Sequence, residues 1–284
     1  MAYASPTTIE ETLDLRASGP STIIAGGTDL YPASVGKPIR DNIIDISNVR
    51  DINSIEASES MWRLGAMTTW TQLLKADLPP AFNALKLAAR EVGSVQIQNV
   101  ATIVGNICNA SPAADGVPPL LSLDASVELR SLRTTRVVPL SEFILGNRQT
   151  TLADDEMVTA LLVPREGEDD VSYFSKLGAR KYLVISIAMV AANLRIDRHG
   201  FINHAKLAVG ACSAVAMRLK TLERSLVGLP REALSRAVMN DADSMSLTPI
   251  DDIRASKNYR HSAANVLITR TLDACFAQCA AGET

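Results

Sequence analysis

Near the start of the chain, Thr7-Thr8-Ile9-Glu10-Glu11 offers overlapping capping boxes ahead of Leu13 and Leu15. The pattern predicts a short helix stopped by Ser18-Gly19-Pro20. Thr22 to Ala25 reads as a short buried strand that ends in paired glycines, Asp29 to Val35 as a helical turn, and Asn42 to Ile46 as a second strand. Trp62 to Ala66 predicts another strand, Thr69-x-x-Gln72 caps a helix through Leu74, and Pro79 to Arg90 carries apolar residues at helical spacing. From Ser126 the rhythm shortens and alternates: residues 126–131 and 156–163 have the pattern of antiparallel strands. The charged stretch Arg165 to Asp170 reads as a solvent-exposed joint. Beyond it, Leu183 to Ile196 and Phe201 to Val209 predict two long strands, joined by a hairpin turn at Asp197-Arg198-His199-Gly200. Helical spacing returns at Ala216 to Val227, Pro230 to Val238 and Ser262 to Ala280. Periodicity alone thus reaches a mixed α and β protein in which a half rich in parallel strands meets an antiparallel half, with a boundary near residue 172.

Composition narrows the function classes. With 284 residues, 47% of them hydrophobic, the chain can fill one large or two ordinary cores. Its formal net charge of −3 gives no basic field for a polyphosphate backbone, so nucleic acid is not an expected partner. No window is long and apolar enough to span a bilayer, and the N-terminus lacks the basic and apolar regions of a signal peptide, which predicts a cytoplasmic protein. Cys108, Cys212, Cys275 and Cys279 do not form the closely spaced sets that ligate zinc or an iron–sulfur cluster. Cys275 and Cys279, i,i+4 on a predicted helix, read as buried small hydrophobes. His199, His204 and His261 all lie in the last third, so the first two thirds hold neither a histidine metal site nor a Ser-His triad.

Two stretches carry candidate chemistry. In Ala25-Gly26-Gly27-Thr28-Asp29-Leu30 an apolar strand gives way to glycines, a hydroxyl and a carboxylate. Glycine amides at a strand end can converge on an anion, Thr28 adds a donor, and Asp29 is expected to cap the following turn. The stretch does not match G-x-G-x-x-G, which leaves a Rossmann site unsupported. The second stretch runs from Thr102-Ile103-Val104-Gly105-Asn106 to Ser111-Pro112-Ala113-Ala114-Asp115. Read as one loop, it offers backbone amides, two side-chain amides and a carboxylate, a set suited to a pyrophosphate, ribose hydroxyls and an adenine edge. The expectation is that both stretches serve one cofactor site.

IIAGGTDL, then QIQNVATIVGNICNASPAAD, then FSKLGAR before a long strand, resemble the FAD-binding medium subunit of the molybdenum hydroxylases, the family of bacterial xanthine dehydrogenase, carbon monoxide dehydrogenase and aza-arene hydroxylases. Order, spacing and length agree over essentially the whole chain. The resemblance implies an α+β architecture: a PCMH-type FAD-binding fold of two subdomains over residues 1–172, then a C-terminal domain of a small antiparallel sheet and helices over 173–284. It implies that Ala25 to Leu30, Thr102 to Asn106 and Asp115 bind FAD, that Lys176 is the family's lysine before the last sheet, and that Val158 marks the apolar residue packed on the isoalloxazine. Two departures stand out: Val104 replaces the first glycine of the usual T-I-G-G-N, and Ser186-Ile187-Ala188 replaces Asp-Ile-Ala.

The implied activity is that of an oxidoreductase subunit. A partner molybdopterin large subunit oxidises a small molecule, a [2Fe–2S] small subunit relays the electrons, and FAD here collects them for NAD⁺ or another acceptor, so the chain needs no catalytic acid, base or nucleophile of its own. FAD is expected to be non-covalent, since no histidine precedes His199. Two other readings remain at this point. A self-contained FAD-dependent reductase or oxidase of the same wider fold would need its own proton donor, and an oxidase usually a tether. An interaction protein that kept the fold and lost the cofactor would draw on Val104.

Overall fold

A computed structural model describes residues 2–36, 41–240 and 246–282. The chain divides into two compact units, one of residues 1–76, 94–110 and 125–163, the other of 77–93, 111–124 and 164–284. Elements are numbered below in chain order.

The first unit opens with a parallel sheet in the order β1 (Tyr3–Ala4), β3 (Asn42–Asp45), β2 (Ser21–Ile24). Its helix α1 (Ile9–Ala17) starts at the Thr8 and Glu11 capping box expected from sequence. The Arg16 guanidinium at its end donates to the carbonyls of Ser21 and Glu156, anchoring the helix to distant chain. The short α2 (Leu30–Ala33) follows β2. A second sheet runs β4 (Ile55–Ala57), β5 (Met61–Gly65), β10 (Met157–Pro164), β6 (Ser126–Arg130), β7 (Thr135–Pro139). Helix α3 (Trp70–Lys75) has the expected Thr69 and Gln72 box. Helices α5 (Val95–Val100), α6 (Ile103–Cys108) and α8 (Leu140–Phe143), and the hairpin β8 (Ile144–Gly146) to β9 (Gln149–Thr150), complete the unit. Trp70, Leu73, Leu64, Ile103, Ile107, Leu129 and Phe143 are among its fully buried side chains.

The second unit is built on an antiparallel sheet, β11 (Val171–Leu177), β12 (Ala188–Ile196), β13 (Ile202–Gly210), β14 (Met217–Arg218). Alternation along β12 separates two cores. Ala188, Val190, Ala192 and Leu194 pack with Ile268, Leu272 and Cys275 of the long helix α11 (Lys257–Gly282). Met189 and Ala191 face the other way, joining Phe174, Ala211 and Ala84 and Ala88 of α4 (Asn83–Glu91). Helix α7 (Val117–Ser122) lies on that same side, close enough that a side chain on Gly210 would meet Pro118. The β12 to β13 hairpin turns where expected: Gly200 takes φ +81° and Asp197 accepts the N–H groups of His199 and Phe201. Helices α9 (Lys220–Leu226) and α10 (Leu234–Met239) flank the sheet in sequence.

Several local expectations are corrected. Residues 99–115 are not a single loop: α5 ends at Val100 and α6 starts at Ile103. The strand expected from Leu183 begins only at Ala188, since Leu183 sits at φ +52°, a conformation no strand residue takes. Residues 217–218 are strand where a helix was expected. The joint at 165–170 is not wholly exposed: Asp170 is 4% exposed and pairs with Arg195 Nε at 2.7 Å, while Arg165 pairs with Glu168. Among the described residues, no helix is long and apolar enough to cross a membrane, and no cluster of three or more His, Cys, Asp or Glu is placed to hold a metal ion.

Candidate functional site

In the first unit the two glycine-bearing stretches are neighbours. A Cβ built on Gly26 would lie 2.0 Å from the carbonyl oxygen of Val100 and 2.9 Å from Cα of Ala101. Only glycine lets the end of β2 pass so close to the end of α5, and that contact sets the Ala25 to Leu30 turn beside the start of α6. Gly27 is required for a different reason, its φ of +68°. Asp29 does not cap: it is exposed at the first position of the α2 turn and its carboxylate accepts no backbone N–H there. The α2 turn is closed instead by main-chain bonds such as that from Ala33 N–H to Asp29 O.

At α6 the sequence reading is also revised. Thr102 is the N-cap, its hydroxyl accepting the Gly105 N–H at 3.0 Å; Ile103 N–H donates to Thr68 O and Asn106 N–H to Thr102 O. Three amides counted as anion donors are therefore already bonded within the protein. What Gly105 supplies is uncovered backbone, since a Cβ there would meet only the Thr102 hydroxyl, at 2.8 Å. Val104 is 5% exposed, its side chain turned into the core beside fully buried Ile103. The branched Val104 side chain is thus absorbed by packing. Val158, on β10 at a register shift before Ala160, is likewise buried, at 5%.

The second unit holds a different constellation. Lys176 on β11 donates from Nζ to Asp115 Oδ2 at 2.6 Å, with the Glu91 carbonyl at 3.4 Å. Ser186 donates to Asp115 Oδ1 at 2.5 Å. Both ionic side chains are nearly inaccessible, at 7% and 9%. The two Asp115 oxygens are thus engaged by side chains distant in sequence, while the N-cap position of α7 falls on the next residue, Gly116. Burial pushes the Asp115 carboxyl above its ordinary range, against the pull of the Lys176 ammonium and the Ser186 hydroxyl. Ser186 was not among the sequence candidates. The signal for it was the departure itself: a hydroxyl stands where an acid was expected, and it donates to a carboxylate that a second acid would have repelled.

Beside Lys176 a cavity of about 420 Å³ is lined by Leu87, Glu91, Phe174, Arg180 and Lys181 among others. Arg180 holds the rim by donating to the Leu183 carbonyl, and the Lys181 ammonium sits 5.2 Å from the centre of the exposed Tyr182 ring. No thiol joins this chemistry: Cys108 and Cys212 are pushed up to about 12 and about 11 by burial, the second against the pull of Arg260. The buried lysine, carboxylate and hydroxyl of the second unit are donor and acceptor groups of the kind that small-molecule sites use.

Comparison with known proteins agrees with this chemistry. Residues 1–166 match the family described as FAD binding domain in molybdopterin dehydrogenase, and residues 173–275 match the CO dehydrogenase flavoprotein C-terminal domain. The nicotinate dehydrogenase FAD-subunit of Eubacterium barkeri is 35% identical over 238 residues, 80% of each chain. The xanthine dehydrogenase FAD-binding subunit of Escherichia coli is 32% identical over 269 residues, 91% of this chain and 90% of that one. A chain of the carbon monoxide dehydrogenase of Hydrogenophaga pseudoflava superposes with a TM-score of 0.87 at 26% identity, covering 98% of this chain and 97% of that one. A chain of quinoline 2-oxidoreductase from Pseudomonas putida shares the fold, with a TM-score of 0.88 at 23% identity. The chain therefore belongs to the FAD-binding subunits of the molybdopterin dehydrogenases, the molybdenum hydroxylase family, and is an oxidoreductase flavoprotein whose cofactor is FAD.

Proposed function

We propose that this chain is the electron-transfer subunit of a cytoplasmic molybdenum hydroxylase. A [2Fe–2S] small subunit supplies electrons drawn from a substrate oxidised on a molybdopterin large subunit, and NAD⁺ or another acceptor takes them away. Bound FAD supplies the two-electron redox chemistry. The chain's own residues bind and orient it. In this reading Ala25 to Leu30 and Thr102 to Asn106 present glycine backbone and hydroxyls to phosphate, Asp115 accepts from a hydroxyl of the cofactor, Lys176 supplies a fixed positive charge, and Val158 contributes an apolar surface. The proposed division of labour is FAD binding over residues 1–172 and a C-terminal flavoprotein domain over 173–284. The observation that carries the reading is the buried Lys176, Asp115 and Ser186 set: an ion pair this inaccessible, beside a cavity, has the donors and acceptors of a binding site.

Purification from the native source tests both halves of the proposal. The protein is expected to carry FAD that acid precipitation releases intact, and to travel with an iron–sulfur chain and a molybdopterin chain. Flavin that stays with the precipitated polypeptide would refute non-covalent binding. A lone chain that oxidises an organic substrate on its FAD at ordinary enzyme rates would replace the subunit reading with that of a self-contained flavoenzyme.

A further inference from the structure

Arg260 lies in the first turns of α11, is 2% exposed, and has no place in the reading above. Its Nη1 donates to the carbonyls of Ile187 at 2.6 Å and Ala211 at 3.2 Å, while Nη2 donates to Asp252 Oδ1 at 2.7 Å. Asp252 is itself fixed, accepting the N–H groups of Arg254 at 2.8 Å and Ala255 at 3.2 Å. Burial would raise the Asp252 carboxyl, but these bonds and the Arg260 charge outweigh it and hold the group at about 2, so a full negative charge faces the guanidinium at neutral pH.

Both carbonyls lead to Asp115. Ile187 directly follows Ser186, whose hydroxyl donates to Asp115 Oδ1, and Ile187 N–H donates to the carbonyl of Leu177, the residue after Lys176. Ala211 sits at a positive φ of 62° and its N–H donates at 3.0 Å to the carbonyl of Pro112, in the short segment that ends at Asp115. One planar guanidinium therefore pins the start of β12 and the end of β13, and each end is bonded to a segment carrying one member of the Lys176, Asp115 and Ser186 set. A fork with several fixed donors can bind two carbonyls and a carboxylate together; a lysine ammonium, a point charge on a flexible stem, cannot match it.

We infer that Arg260 is a positioning residue: by holding Ile187 and Ala211 it fixes Ser186 and Asp115 in the geometry that binds the cofactor. The inference rests on the proposed contact between Asp115 and FAD, and the test separates the two claims. FAD is titrated into the flavin-stripped full-length chain, following flavin fluorescence, for the wild type, Asp115→Asn, Arg260→Lys, Arg260→Met and the double variants. Circular dichroism checks the fold of each.

Asp115→Asn is expected to weaken FAD binding on its own. Arg260→Lys and Arg260→Met are expected to weaken it about tenfold in the wild-type background, the scale of a disrupted buried hydrogen-bond network, and to have no further effect once Asp115 is Asn. Should Arg260→Met fail to fold, Arg260→Lys, which keeps a charge opposite Asp252, carries the same comparison. Wild-type affinity in the Arg260 variants overturns the inference. So does an equal loss in both backgrounds, the additive result of a merely structural residue. Wild-type affinity in Asp115→Asn removes the proposed Asp115 contact itself, and the inference falls with it.

Discussion

Lys176 is nearly shut off from water, and this makes its partner's identity consequential. Its side chain is 7% exposed and its short ionic contact is with Asp115. Asp115→Ala would strand a buried ammonium, and removing one member of a buried pair costs about 3–5 kcal/mol. Asp115→Asn keeps one acceptor oxygen for the ammonium and turns its NH2 to Ser186, whose hydroxyl can rotate to accept it, so its cost is expected to be smaller, about 1–2 kcal/mol. Urea denaturation of both variants checks the order; equal stabilities would mean that the pair is not buried as described. Little of this cluster could be read from local pattern. Lys176 and Ser186 lie 61 and 71 residues from Asp115, too far for any local pattern to join them, and only family resemblance pointed to Asp115 and Lys176. Ser186 became visible only when its hydroxyl was placed against Asp115.

Among elements, legibility followed locality. The boxes at Thr8 and Thr69 close within three residues and were read directly from sequence. Helix α5 escaped because its polarity is inverted: Val95, Ile97 and Val100 are exposed while Gln98 is buried, the reverse of an amphipathic stripe. Helix α6 escaped because Gly105 and Asn106 interrupt it, as though it were a loop. The glycines in these elements have different reasons to exist, and substitutions separate them. Gly26→Ala drives a methyl into the Val100 carbonyl, backbone against backbone, and is expected to cost about 3 kcal/mol, at the upper end of overpacking. Gly105→Val sets its Cβ 2.8 Å from the Thr102 hydroxyl that caps α6, so that cap must shift at a cost of about 1 kcal/mol, while circular dichroism should stay near wild type and flavin binding is lost. Full flavin occupancy in Gly105→Val would remove phosphate from this position, and a Gly26→Ala variant as stable as wild type would dissolve the contact between β2 and α5.

At the level of the molecule, the order of patterns along the chain conveyed a mixed α and β protein and the family resemblance its α+β architecture, but packing does not follow the chain in two consecutive blocks. The chain passes between the two units five times, through the boundaries after residues 76, 93, 110, 124 and 163. Residues 77–93 and 111–124 precede the proposed division at 172 and yet pack with the C-terminal sheet, a long-range relation that no periodicity encodes. The consequence is physical. One face of β11 to β13, carrying Phe174, Met189 and Ala191, is covered by Ala84 and Ala88 of α4, and Ser172 ties the two by accepting the Ala84 N–H at 2.9 Å and donating to the Ala81 carbonyl at 2.8 Å. A fragment of residues 173–284 keeps α11 on its other face but loses α4, α7 and Ser172, leaving a sheet with one bare apolar side. Such a surface is an aggregation site, and the fragment is expected to be insoluble or to bind a hydrophobic dye without a cooperative melt. Co-expression with residues 1–172 should restore a soluble pair, because α4 and α7 return on that piece. A cooperative melt for 173–284 alone would show that the sheet and α11 suffice, and that the cover supplied by α4 and α7 is dispensable for folding.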